Sequence, residues 1–406
     1  MGSGTSAGLD VAIRASTEDE LKATFGGLTQ ETRSKVLKAI KKRPAGRSSA
    51  IFEASTEPTA RDLFKSLFDT SLPPNVLATD QDPLFHEAGV WMPQTCEWLI
   101  TSNRFKPGTP ETHVRILALH YPSGKVRFLE DLEKQILMAN GGTTDFMGGA
   151  YLLDQGLGDK SGGIWRLDPL LTKATYIHPL DESHVHNSLN DIVLHRASGM
   201  LIFTDPAYGY YVQEFRTNAH KHTAVWMGKA DGTGQAMMVD QDYCAPNGIL
   251  LSPDEKTMYV TDVWNTEWVS GEHLGGKAKE HWRDHKGMDT GIKSHTVAYD
   301  VNLTGEGAVP TFTNRRTFFD LQSDDPDAGF PDGIKCDVDG NVYAGCGDGV
   351  RVYSPGGTFL GRIKVQGGVA NLCFGGPDGK TLLMLSETRA ISVQTLKAGA
   401  LPPYTV

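Results

Sequence analysis

Oxygen-bearing side chains recur at one place in a repeated unit of this chain. Glu87, Asn190, Asn247, Asp332 and Asn371 each stand at the start of an apolar run that reads as a β-strand. Taken singly, an Asn ahead of Gly reads as a turn residue, because it tolerates left-handed backbone and bonds to its own turn. Repetition changes that reading. Four carbonyl or carboxylate oxygens at equivalent positions, two of them charged, match what a hard divalent cation requires. Glu87, Asn190, Asn247 and Asp332 are therefore the expected metal ligands. No His/Cys cluster with zinc spacing accompanies them in the sequence, so calcium is the natural occupant, with magnesium, manganese or zinc as alternatives.

Such ligands need a scaffold that brings distant segments to one point. The clearest unit runs from Pro246 to Asp262, strand–turn–strand around Pro253-Asp254-Glu255-Lys256. Glu87 to Asn103, Asn190 to Asp205, Asp332 to Cys346 and Asn371 to Glu387 share its outline, and Gly148 to Asp168 is a less regular sixth. Hairpins recurring at about 40 to 85 residues indicate a propeller of four-stranded blades. Six units predict an all-β, six-bladed β-propeller over residues 76–406, each innermost strand facing a shared axial channel. Residues 264–295, rich in Trp, His, Gly and charge, read as an inserted loop, either a lid over one face or a plain surface excursion. Residues 1–75 read as a helical extension, with helices expected over Thr17–Phe25, Thr29–Arg43 and Thr59–Phe68.

Composition limits the alternatives. The 406 residues carry a net charge of −10 and no basic stripe, which argues against a nucleic-acid partner. No run approaches the ~18 apolar residues of a membrane span. The N-terminal MGSGTSAGLDVAIRAS lacks a basic segment followed by an apolar one, so the expected location is cytoplasmic. The five cysteines are scattered and read as buried thiols. No G-x-S-x-G elbow and no evident Ser/His/Asp set is present, which disfavours a serine-hydrolase route.

The chain resembles the family of gluconolactonases, senescence marker protein (regucalcin) and fungal lactonohydrolases, closest to the last branch. The likeness runs over roughly residues 80 to 395. It rests on Phe85-His86-Glu87-Ala88, Asn140-Gly141-Gly142-Thr143, Asn187-Ser188-Leu189-Asn190-Asp191 and Thr204-Asp205-Pro206-Ala207-Tyr208-Gly209-Tyr210. It continues through Pro246-Asn247-Gly248, Pro331-Asp332-Gly333 and Tyr343 to Val350. The resemblance implies a six-bladed propeller with a catalytic divalent metal that opens lactones to hydroxy acids. It aligns Glu87, Asn247 and Asp332 with family ligands, and Asn190 with an asparagine beside metal or substrate. The N-terminal extension, the 264–295 segment and His184-Val185-His186 depart from the shared pattern.

The resemblance implies a small-molecule lactone substrate, with oligomeric state left open. The cation polarises the ester carbonyl. Asp332 is the expected ligand and general base, with Asn190 and His86 as further candidate catalytic groups. Strand alternation points His86 away from the ion unless the chain bends there. His184, His186, Tyr208 and Tyr210 are candidate substrate-binding residues, the histidines because they titrate near neutrality and the tyrosines as aromatic walls. Two other readings keep the propeller: a condensing or cyclising enzyme of specialised metabolism, or a non-catalytic calcium-binding interaction module.

Overall fold

Among the described residues, 25 strands pair into six antiparallel sheets, five of four strands and one of five. The computed structural model describes residues 50–178, 186–217, 223–263, 294–305 and 308–400. The helices expected over 17–25 and 29–43, His184 and most of the 264–295 segment lie outside the described residues. Among those described, no helix is long and apolar enough to cross a membrane.

The ring follows from a period-two code in each strand. Ile249 and Leu251 pack on one side of their strand, against Met200, Ile202 and Val225 of the preceding blade. Leu250 between them packs on the other side, against Ile334 and Val342 of the following blade. The same alternation sends Leu382 and Met384 one way and Leu383 and Leu385 the other. Strands buried on both faces must be apolar throughout, which is why these runs read as continuous rather than alternating. Six apolar clusters result, one at each junction between neighbouring blades, and the cluster around Trp91, Trp98 and Leu383 joins the sixth blade to the first.

Closure is non-local. The sixth blade takes three strands from Asn371 to Gln394 and its outer strand from Asn75–Thr79, in register Asn75 to Ser392 and Val76 to Ile391. The fifth blade gains an extra outer strand, Ala50–Ala54, antiparallel to Phe359–Val365. Between these two strands lies the helix Pro58–Lys65, at the place where the sequence predicts one. Its Glu57 cap accepts from Ala60 N at 2.5 Å, and Phe64, with Leu67 and Phe68 just beyond, packs onto the junction of blades five and six. The segment ahead of residue 76 thus contributes strands as well as a helix.

One blade differs from the sequence expectation. The unit beginning at Gly148 is not led by an innermost strand: Ala150–Asp154 is the second strand, and the innermost is Ala139–Thr144. Its sequence, ANGGTT, has no aliphatic run for a hydropathy pattern to find.

Candidate active site

At one end of the axis the six innermost strands begin, each contacting the next around the ring. Glu87 and Asn371 open their strands, Asn140 and Asn247 are second residues, and Asn190 and Asp332 stand two residues ahead of theirs. Asn140, missed because its strand was missed, completes a set of one polar residue per blade.

The glycine after several of these residues is required by crowding, not by a turn. A Cβ at Gly141 would lie 2.2 Å from the Asn190 carbonyl, one at Gly248 2.3 Å from the Asp332 carbonyl, and one at Gly333 2.3 Å from the Asn371 side chain. Each glycine lets the next blade approach. Threonines on the second strands then fix the approach: Thr101 donates to Asn140 O at 3.0 Å, Thr204 to Asn247 O at 2.7 Å and Thr261 to Asp332 O at 2.9 Å. Gly248→Ala is expected to cost about 1–3 kcal/mol through overpacking. Equilibrium urea unfolding checks this, and an unchanged midpoint contradicts the contact.

The strand starts enclose a cavity of about 600 Å³ whose walls include His86, Glu87, Asn140, Asn190, Tyr208, Asn247, Asp332 and Glu387. Glu87 is buried, and its Oε2 accepts from Asn371 Nδ2 at 2.6 Å. Burial, then the charge of Asp332, pushes the Glu87 carboxyl up to about 8. Burial likewise pushes Asp332 up to about 7, although His86 opposes the rise. Asn247 donates to Tyr208 Oη at 3.4 Å.

His86 faces this cavity together with Glu87. Alternation does not govern His86 because it lies just ahead of the strand, which begins at Glu87; a β-bulge follows at Ala88 (φ 64°) and Gly89 (φ 68°). His86 Nδ1 lies 2.7 Å from Glu387 Oε1, and Asn103 Nδ2 donates to the other oxygen at 3.2 Å. Burial alone would lower the His86 pKa, but the Glu387 hydrogen bond and nearby carboxylates raise it to about 9.

The other sequence candidates divide. Tyr208 is on the cavity wall. Tyr210 is not among the lining residues. His186 is not either: it is buried behind the wall, with Nδ1 3.2 Å from Asp205 Oδ2 and its ring edge-on to Phe203 and Trp226. Asp205 explains that position. It also accepts from the backbone N–H of Asn187 and Ser188 at 3.0 and 2.9 Å, so it anchors the loop that delivers Asn190. Glu387 and Asn103 were missed, although both lie near the ends of second strands, Glu387 just past Ser386 and Asn103 two residues before Phe105, where Thr204-Asp205 and Thr261-Asp262 stand in other blades. Repeat position was the available signal.

The donor chemistry fits a hard cation. Oδ1 of Asp332, Asn190 and Asn140 are buried without a hydrogen-bond partner, and unpaired buried acceptors are costly. Two repelling carboxylates, Glu87 buried and Asp332 half-buried, complete the case for positive charge. Among the described residues no three His, Cys, Asp or Glu side chains gather as a metal set; amide oxygens supply the remainder, an all-oxygen shell suited to calcium.

Six blades around a polar, acid-bearing axial cavity define a class of propeller. The chain belongs to the SMP-30/Gluconolactonase/LRE-like family, which matches residues 129–278 and 289–388. It is 26% identical to a gluconolactonase of Zymomonas mobilis over 344 residues, 82% of this chain and 84% of that protein. It is 26% identical to lactonohydrolase oryL of Aspergillus oryzae over 226 residues, 55% of this chain and 48% of that protein. In fold it resembles a gluconolactonase of Xanthomonas campestris (TM-score 0.60, 20% identity, 87% of this chain and 99% of that one). A calcium-binding protein, regucalcin, of Agrobacterium tumefaciens is similar in fold as well (TM-score 0.54, 18% identity, 82% and 98%).

Proposed function

We propose that this protein is a metal-dependent lactonase, hydrolysing a cyclic ester to a hydroxy acid. One observation carries the reading: Glu87 and Asp332, 245 residues apart in sequence (332 less 87), share one axial cavity with unpaired amide oxygens beside them. The gluconolactonase and lactonohydrolase relatives support it.

Glu87, Asn190, Asn247 and Asp332 would hold one divalent cation, calcium by donor type, and bound there it supplies Lewis-acid polarisation of the ester carbonyl. Asp332 Oδ1 takes a proton from the water that attacks the carbonyl carbon. Water adds to the carbonyl carbon to give a tetrahedral oxyanion, and its collapse re-forms the carbonyl and breaks the ring C–O bond. His86 has Nδ1 engaged by Glu387, so Nε2 is the atom that protonates the departing ring oxygen. Tyr208 walls the substrate and braces Asn247. The purified protein, incubated with a panel of five- and six-membered lactones, should release acid in a pH-stat. Absence of acid release from every lactone sinks the reading.

A further inference from the structure

Arg104, half-buried, stands on the wall of the same cavity, and the charge of Glu387 acts on its guanidinium from beyond ion-pair distance. Its Nε is buried and makes no hydrogen bond, and no carboxylate lies within ion-pair distance of it among the described residues. The nearest candidate counter-charge, Glu387, is already engaged by His86 at 2.7 Å and by Asn103 at 3.2 Å. Asn103 also takes up the Arg104 backbone N–H, which donates to Asn103 Oδ1 at 2.7 Å, so the local polar groups are used without reaching the side chain. Burial lowers the Arg104 pKa, yet a guanidinium stays charged at any working pH. A buried donor of this kind needs an acceptor, and the group open to it is whatever fills the cavity.

Position refines what that group is. Thr101 pairs with Glu87, and Arg104 lies three residues further along the same strand, toward the cavity mouth. The ladder shifts register between Thr101 and Arg104, so the separation is shorter than the roughly 10 Å of three regular strand residues. The reacting ester sits at the carboxylate level, so the anion Arg104 would hold belongs to a substituent of the ring. We propose that Arg104 is the receptor for a carboxylate carried by the substrate, so that the lactone opened here is an acidic one, the internal ester of a hydroxy diacid. The planar fork of a guanidinium matches a two-oxygen anion. A phosphate dianion is disfavoured by Glu87, Asp332 and Glu387 on the same walls. This inference rests on the lactonase reading of the cavity and narrows its substrate class.

The test compares γ-carboxy-γ-butyrolactone with γ-valerolactone, which has the same ring and a methyl group in place of the carboxylate. Wild-type kcat/KM should favour the acidic lactone by at least about tenfold, and Arg104→Met should reduce that ratio roughly 10- to 100-fold, chiefly through KM, as expected for a charged hydrogen bond. Arg104→Lys should restore part of the ratio, and thermal melts of both variants identify one that merely misfolds. Calorimetric binding of the ring-opened α-hydroxyglutarate against γ-hydroxyvalerate reads the same preference without turnover. If neither lactone is opened, the full lactone panel decides the lactonase reading, and the calorimetric ratio still decides the role of Arg104. A wild-type protein without the acidic preference overturns the proposal. So does a preference that survives Arg104→Met, or inorganic phosphate displacing α-hydroxyglutarate at lower concentration than succinate does.

Discussion

Asp332→Asn should lower kcat for lactone opening by roughly 10²- to 10⁴-fold, the range for removal of a positioned general base. The substitution preserves shape, so the Gly248 and Thr261 contacts to the residue 332 carbonyl persist. It removes one of two carboxylates whose mutual repulsion helps hold Glu87 at about 8. The cation-free protein should therefore keep or raise its urea midpoint while activity collapses. That opposition separates a chemical role from a structural one. Activity within about threefold of wild type would remove Asp332 from the mechanism, and loss of stability in parallel with loss of rate would assign it to the scaffold.

Chelation should abolish turnover, by at least roughly 10²- to 10³-fold, the scale expected when a main source of oxyanion stabilisation is withdrawn. It should also expose a pH dependence of stability. Without a cation Glu87 titrates at about 8 and Asp332 at about 7, whereas in the unfolded chain both titrate near the ordinary carboxylate value of about 4. Between those limits the folded state binds more protons than the unfolded state, so stability falls as pH rises. The contribution is whole below about pH 4 and is lost as pH climbs through 7 to 8. Melting in EDTA should drop by several degrees from about pH 6 to about pH 8.5, at roughly 2–4 °C per kcal/mol. Added calcium should raise the melting temperature more at the upper end, where both carboxylates are ionised. A flat profile in EDTA, or calcium acting equally at both ends, would place the two carboxylates elsewhere than in a shared cation site.

Much of the architecture was readable before any coordinates. Val, Ile, Leu and Met fill the strand runs of five blades and turn residues punctuate them, so period and blade number followed from pattern. The second blade's innermost strand escaped because Gly141 and Gly142, demanded by the neighbouring backbone, leave ANGGTT without hydropathy. The strand at Ala50–Ala54 was also hidden, since its pairing partner lies more than 300 residues away at Phe359–Val365. His186 and Tyr210 were drawn toward the site by residue type alone, and type does not say which side of a loop faces a cavity.

By itself, then, the chain specified the repeat, the oxygen-bearing residue at five of the six repeat starts, and the likeness to lactone-opening propellers, because these are local patterns of hydropathy and residue type. The tertiary structure decided which groups meet. The backbone just ahead of Glu87 set His86 on the cavity wall, blade closure brought Glu387 to it from some 300 residues away, and the continuation of a second strand placed Arg104 on the same wall with its Nε unpaired. Those outcomes depend on ring closure and backbone bends, which couple residues hundreds of positions apart and leave no periodic trace in sequence.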